Sequence, residues 1–232
     1  MRIKICGITQ PDQGIAIAHL GATALGFICV PSSPRYVSLA QLETIATALL
    51  ADSVGQQVDR VGVFVNASLE TIAAAVAIGQ LTGIQLHGHE DPPFCQQVRQ
   101  HFPQQEVIKA FRTPSEVAAI ATQITPYTDC IDTILLDAYD PRQFGGTGHT
   151  LDWEHLQTLA PPHPWFLAGG LTPSNVRQAL QWVTPQGIDL SSGVETAPGL
   201  KDLAKVEQLM GQLAESPRFP AGDATRTHSL KP

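Results

Sequence analysis

Met1-Arg-Ile-Lys-Ile-Cys-Gly-Ile-Thr9 opens the chain. An apolar strand pattern runs as far as Cys6 and breaks at Gly7, a residue type that weakens strand interiors and marks turns. The same unit recurs downstream. Short runs rich in Val, Ile and Leu at 3–6, 24–29, 61–65, 83–86, 107–111, 133–137, 165–168 and 187–190 read as strands. Segments of helical period lie between them, near 11–20, 38–50, 68–79, 92–101, 114–123, 153–159, 173–182 and 201–214. Ser38 before Leu39, Thr113-Pro114 and Thr172-Pro173 put a cap residue or a first-turn proline where a helix opens.

Strands that alternate with helices predict a parallel sheet. The strands are apolar throughout, which predicts burial of both faces. Eight such units favour a closed (β/α)8 TIM barrel, an α/β fold that takes about 250 residues as one unit. An open doubly wound sheet is the main alternative, but no G-x-G-x-x-G follows the first strand. The expected organisation is one barrel domain over residues 1–214 and a polar tail over 215–232. Three prolines and little periodicity make 216–232 read as a mobile tail.

The 232-residue chain has a formal charge of -7, so it has no general electrostatic attraction for nucleic acid or an anionic membrane. An anionic ligand must be held locally, by backbone amides and a few basic side chains. Cys6, Cys29, Cys95 and Cys130 make no Cys-x-x-Cys pair, and a chain of this size does not need disulfide staples. It starts directly on a strand and carries no membrane-length apolar run. The expectation is a cytoplasmic protein with reduced thiols.

In a parallel barrel the C-terminal strand ends share the face on which chemistry is done. Cys6 follows the first strand, Arg35 the second, Asn66 the third and His87 the fourth. Asp137 ends the sixth, Gly169-Gly170 follows the seventh and Ser191-Ser192-Gly193 the eighth. Loops after the seventh and eighth strands commonly form a phosphate site, where glycine lets backbone amides approach the dianion. Ordinary tight turns explain either loop alone; the two together, in this order, favour phosphate.

A free cysteine is usually a small buried hydrophobe, which suits Cys29, Cys95 and Cys130. Cys6 differs by its place at the barrel mouth. An ordinary thiol, with a pKa of about 8.5, is mostly protonated at neutral pH, so a base role calls for a lowered pKa. Lys4 lies two residues back on the same strand face and suits either that purpose or a structural one. Asp137 ends an apolar run, where it serves as a loop cap, a salt-bridge partner or a general acid. An ordinary Asp is protonated only about one time in a thousand at pH 7, so the last role calls for a raised pKa.

Arg35 sits in the stiff run Pro31-Ser-Ser-Pro-Arg-Tyr-Val37. It is either a bidentate carboxylate grip or a solvated surface arginine. Phe144-Gly-Gly-Thr-Gly-His149 reads as a lid or a long loop. His87-Gly-His-Glu90 invites a zinc reading, but no further ligands appear at metal spacing. No metal site is expected, and His87 reads as a substrate contact or loop residue.

Lys4-Ile-Cys-Gly-Ile-Thr9, Ser33-Pro-Arg-Tyr36, Val61-Gly-Val-Phe-Val-Asn66, Gln85-Leu-His-Gly88, Leu135-Leu-Asp137, Phe144-Gly-Gly-Thr-Gly148, Leu167-Ala-Gly-Gly-Leu171 and Asp189-Leu-Ser-Ser-Gly-Val-Glu195 resemble phosphoribosylanthranilate isomerase, a family of tryptophan biosynthesis. The likeness runs from residue 2 to about residue 214 with the motifs in family order. It implies a (β/α)8 barrel and an Amadori rearrangement of a small phosphosugar-anthranilate substrate, without cofactor or metal, by a monomer or homodimer. It also implies Cys6 as general base, Asp137 as general acid and Arg35 at the anthranilate carboxylate. Gly169, Gly170, Ser192 and Gly193 would lie at the phosphate, and Gln85, His87 and Asp189 near the ligand. Leu151 departs from the family, which has an aromatic residue before Asp-Trp, and the tail has no counterpart. The rival readings are another phosphosugar barrel enzyme and a non-catalytic barrel that binds a phosphorylated metabolite.

Overall fold

The computed structural model describes residues 1–113, 117–138 and 153–215. All eight expected strands form and close a parallel barrel in sequence order: β1 (Arg2–Cys6), β2 (Ala24–Ile28), β3 (Asp59–Phe64), β4 (Gly83–Leu86), β5 (Glu106–Thr113), β6 (Thr133–Ala138), β7 (Trp165–Leu167) and β8 (Gly187–Leu190). Strand β8 pairs back onto β1, with Lys4 opposite Asp189. Among the described residues the α-helices are α1 (Pro11–His19), α2 (Leu39–Ala51), α3 (Leu69–Gly79), α4 (Pro92–His101), α5 (Val117–Ile124), α6 (Val176–Trp182) and α7 (Leu203–Ala214). Ser38 caps α2 through a capping box with Gln41, and Asp91 caps α4 ahead of Pro92, satisfying amide donors that a helix start leaves open.

Three expectations are corrected. The segment 153–159 is not an α-helix but a 3-10 turn over His155–Thr158. Trp153 and Leu156 are buried and Leu159 packs beside them, a spacing of three that suits three residues per turn. Pro161 and Pro162 prevent a longer helix. Helix α6 starts at Val176, because Asn175 folds back to accept from the Thr172 amide. Helix α7 starts after Asp202, whose carboxylate takes the Ala204 and Lys205 amides. The residues before it form a small antiparallel hairpin of β9 (Glu195–Ala197) and β10 (Leu200–Lys201). The run 144–149, Leu151, Pro114 and the tail 216–232 lie outside the described residues.

The main core lies between the strands and the helices, where Leu25, Phe27, Leu42, Phe64, Ile84 and Leu136 are buried. The barrel interior is layered. Side chains alternate along a strand, so Arg2, Lys4 and Cys6 share the inward face of β1. At the closed end, the Arg2 guanidinium donates to both Glu106 oxygens at 2.7 and 2.8 Å and to Asp59 at 3.0 Å. It also lies 5.0 Å from the Phe166 ring centre. Above it an apolar layer includes Val61, Ile108, Leu135 and Phe166. The inward faces also carry Lys4, Gln85 or Asp189 near the mouth end, while Lys109 lies on the helix-facing side of β5 with Val107 and Phe111. No helix among the described residues is long and apolar enough to cross a membrane.

Candidate active site

Every strand points the same way, so the strand ends that sequence singled out share one mouth. Cys6 closes β1 and Asp137 lies one residue before the end of β6. On β6 the alternation puts Asp137 on the same face as Leu135, which belongs to the interior layer. The thiol and the carboxyl thus both lie on inward positions at the mouth end of different strands. Cys6 is 6% exposed.

Cys6 sits among buried charges. Lys4 is fully enclosed, and its Nζ donates to Asp189 Oδ1 at 3.0 Å. Lys201 Nζ donates to the Cys6 carbonyl at 2.5 Å and to Glu195 Oε1 at 2.7 Å. Glu195 in turn accepts from Arg35, through Nε at 2.9 Å and Nη2 at 2.6 Å. Gly26 on β2 leaves the space the thiol occupies; a Cβ there would stand 2.6 Å from Cys6 Sγ. Gly7, with φ of +82°, leaves room for Arg35, whose Cδ would lie 2.8 Å from an added Cβ.

The protonation of this cluster differs from the expectation of an activated thiol. Burial pushes the Cys6 thiol up from its ordinary value; Lys4 and Lys201 oppose the shift, while Asp189 adds to it. Desolvation outweighs the lysines because it acts on the whole side chain. Burial also pulls the Lys201 ammonium down, in spite of Glu195. Lys4 is pulled down by burial too, but Asp189 and Cys6 outweigh this and leave it above its ordinary value. Cys29, behind Cys6, is raised to about 12 by burial and by its neighbour.

A second cluster holds Asp137. His87 Nε2 lies 3.2 Å from Asp137 Oδ2, and Gln85 Nε2 lies 2.8 Å from His87 Nδ1. The Gln85 amide donates into Nδ1, which leaves His87 Nε2–H to donate to the carboxylate. Gln85 Oε1 is buried and has no protein partner among the described residues. The loop beneath is clamped from the helix-facing side of the barrel wall. Buried Lys109 donates to Glu90 Oε2 at 3.0 Å and to the Gly88 carbonyl at 2.9 Å. Glu90 also accepts from the Asn66 and Gly88 amides. Burial pushes the Glu90 carboxyl up, but Lys109 and these hydrogen bonds hold it below its ordinary value overall. The His87–Glu90 run is thus tied to carboxylate, amide and ammonium partners.

Two loops form the glycine-rich side of the mouth. Gly169 and Gly170 both have left-handed backbones, with φ of 81° and 64°, which glycine adopts without strain. Gly193 packs so closely on the Leu171 carbonyl that any side chain would collide with it. The amides of Gly169, Gly170, Ser192 and Gly193 donate to no protein acceptor among the described residues. Four amides from two adjacent loops make a concave set of donors suited to an oxyanion.

The structure therefore gathers the expected residues into three groups: Cys6 with Asp189 and, through Lys201 and Glu195, Arg35; Gln85 with His87 and Asp137; and the two glycine loops. The sequence reading omitted Lys201, Glu195 and Gly26 from the site. Pro198-Gly199 is a turn signal that points to the hairpin carrying the first two.

The chain matches the profile of the N-(5'-phosphoribosyl)anthranilate (PRA) isomerase family over residues 3–212. It is 59% identical over 214 residues to the N-(5'-phosphoribosyl)anthranilate isomerase of Acaryochloris marina, covering 92% of this chain and 98% of that protein. The crystal structure of phosphoribosyl anthranilate isomerase from Thermotoga maritima superposes with a TM-score of 0.80 at 35% identity, covering 91% of this chain and 98% of that one. Another isomerase of this type, solved in complex with reduced 1-(o-carboxyphenylamino)-1-deoxyribulose 5-phosphate, superposes with a TM-score of 0.75 at 32% identity, covering 91% and 97%. With its closed barrel, its family profile and its relatives all in agreement, the chain belongs to the N-(5'-phosphoribosyl)anthranilate isomerase family.

Proposed function

We propose that the chain converts N-(5'-phosphoribosyl)anthranilate into 1-(2-carboxyphenylamino)-1-deoxyribulose 5-phosphate, with Asp137 as general acid and Cys6 as general base. Asp137 donates its proton to the furanose ring oxygen. The C1–O bond breaks as the aniline nitrogen lone pair closes a C=N bond. The resulting iminium acidifies the hydrogen on C2, and the Cys6 thiolate removes it. The electron pair left on C2 forms the enaminol, which takes up a proton at C1 and releases one from the C2 hydroxyl to give the ketone. C1 is reduced and C2 oxidised within one molecule, so no external electron carrier is consumed. Two groups of opposite duty must flank the sugar.

The observation that supports this assignment most is the placement of Cys6 and Asp137 on inward positions of β1 and β6 at one mouth. The unengaged amides of Gly169, Gly170, Ser192 and Gly193 suit the substrate phosphate. Arg35 keeps Nη1 beyond its contacts with Glu195 and would meet the anthranilate carboxylate. Gln85 Oε1 offers an acceptor to a sugar hydroxyl, and Asp189 acts beside Lys4. The same reading takes the enzyme to be cytoplasmic and to work as a monomer or homodimer, without nucleic acid or membrane partners. The test is turnover of freshly made phosphoribosylanthranilate, followed as loss of anthranilate-type fluorescence. Folded, purified protein that leaves the substrate to its spontaneous decay refutes the assignment.

A further inference from the structure

The groups around Cys6 do not balance in charge. Lys4, Lys201 and Arg35 bring three cations; Asp189 and Glu195 bring two carboxylates, and ion pairs of 3.0, 2.7 and 2.6 Å join them. With a neutral thiol the cluster keeps one positive charge. A thiolate at Cys6 brings it to neutrality. Of the three cations, Arg35 spends its contacts on Glu195, and Lys201 meets the Cys6 backbone carbonyl rather than the sulfur. Lys4 is the cation that shares the inward face of β1 with the Cys6 side chain, and its charge favours the thiolate. It projects from the same strand face, two residues away, and is sealed from water. Burying an ammonium there is costly unless an anion meets it, and Asp189 takes only part of its three-donor capacity.

Resting on the reading of Cys6 as the base, we propose that Lys4 is a positioning residue for proton abstraction: its enclosed ammonium is the counter-charge that lets the Cys6 sulfur become a thiolate inside the barrel. Asp189 fixes the ammonium by accepting from it at 3.0 Å, and so opposes the thiolate by its own charge while holding the group that favours it. The remaining groups that face the thiol are Lys201 from the hairpin and Cys29 beyond β2. Neither has the Lys4 geometry. The cluster thus holds the thiol neutral at rest without barring the anion, because the compensating charge is already in place.

The test is a titration of the Cys6 thiolate by ultraviolet difference absorbance, each protein measured against its own Cys6→Ser counterpart. Lys4→Met alone would strand the Asp189 carboxylate, so the comparison is Lys4→Met/Asp189→Asn against Asp189→Asn, with folding checked by circular dichroism. The proposal expects the double variant to titrate about one pH unit higher than Asp189→Asn, a tenfold loss of thiolate at a given pH. It expects the base limb of kcat/KM to move the same way, and Lys4→Arg to keep the parent midpoint. Coincident midpoints for the two Asp189→Asn proteins overturn it, even if their melting temperatures differ. A shift in Lys4→Arg as large as in the double variant overturns it too, because charge would then not be the cause. Near-normal turnover by Cys6→Ser would remove Cys6 as the base, and it is read separately from the titration.

Discussion

His87 Nε2 sits 3.2 Å from Asp137 Oδ2, at the end of a chain that begins on Gln85, which is itself inside the barrel. The imidazole fixes one oxygen of the carboxyl. Gln85 fixes the imidazole tautomer, as outer partners of functional groups commonly do. Replacing Gln85 with Leu removes the donor to Nδ1 and frees the ring to rotate or change tautomer. The expected result is a kcat about tenfold lower together with an affinity for a product analogue weakened by up to about tenfold, because the Oε1 acceptor is lost as well. Steady-state kinetics beside a binding titration separates the two effects.

Gly26 gives Cys6 its space, since an added Cβ would come within 2.6 Å of the sulfur and 3.0 Å of the Cys6 Cα. Backbone cannot yield as a flexible chain end can. Gly26→Ala is therefore expected to cost about 1–3 kcal/mol in stability, as overpacking does, and to lower kcat by displacing the thiol. Chemical denaturation measures the first effect and turnover the second.

Arg2 fastens the opposite end of the barrel through Glu106, Asp59 and the Phe166 face. Conserving chemistry while losing stability is the expected signature of that face. Arg2→Met leaves the Glu106 carboxylate without its main partner. It should lower the unfolding free energy by about 1–3 kcal/mol and leave kcat and KM near the parent values.

Lys109 and Glu90 pair inside the barrel wall at 3.0 Å and hold the loop that carries His87. Glu90 is held below its ordinary value, so its contribution is complete above the unfolded carboxyl pKa of about 4.3 and is lost as pH falls through the lower folded value. Glu195 is likewise net lowered: burial raises it, and Arg35 and Lys201 more than reverse this. Unfolding free energy should thus fall as the solution is acidified below that point. Glu90→Gln should flatten part of this slope and cost about 3 kcal/mol at neutral pH, as breaking a buried pair does. Urea melts at several pH values check both outcomes.

The barrel was legible because its signal is local. Each strand carries its own apolar run, and Ser38 announces its helix within three residues. Cys6, Asp137 and the glycine loops were legible because a parallel barrel puts strand ends together whatever the sequence distance. Lys201 was not, since it reaches the Cys6 carbonyl across 195 positions and precedes a helix that hid it. Lys109 was not legible for a similar reason, and although Lys4, Gln85 and Asp189 could be named from the sequence, each is a single polar residue within an apolar run whose partners only the closed barrel shows. The sequence shows the nearby lysines but not the depth of burial that pushes the thiol up.

The central claim is that Cys6 and Asp137 perform the two proton transfers. Its most direct test is turnover of freshly made phosphoribosylanthranilate by Cys6→Ser and Asp137→Asn, with the affinity of each for the reduced product analogue measured alongside. The account predicts a loss of kcat of about a thousandfold in each variant, within the range of general acid–base catalysis, and affinities within a few-fold of the parent. Near-normal turnover in either variant contradicts it.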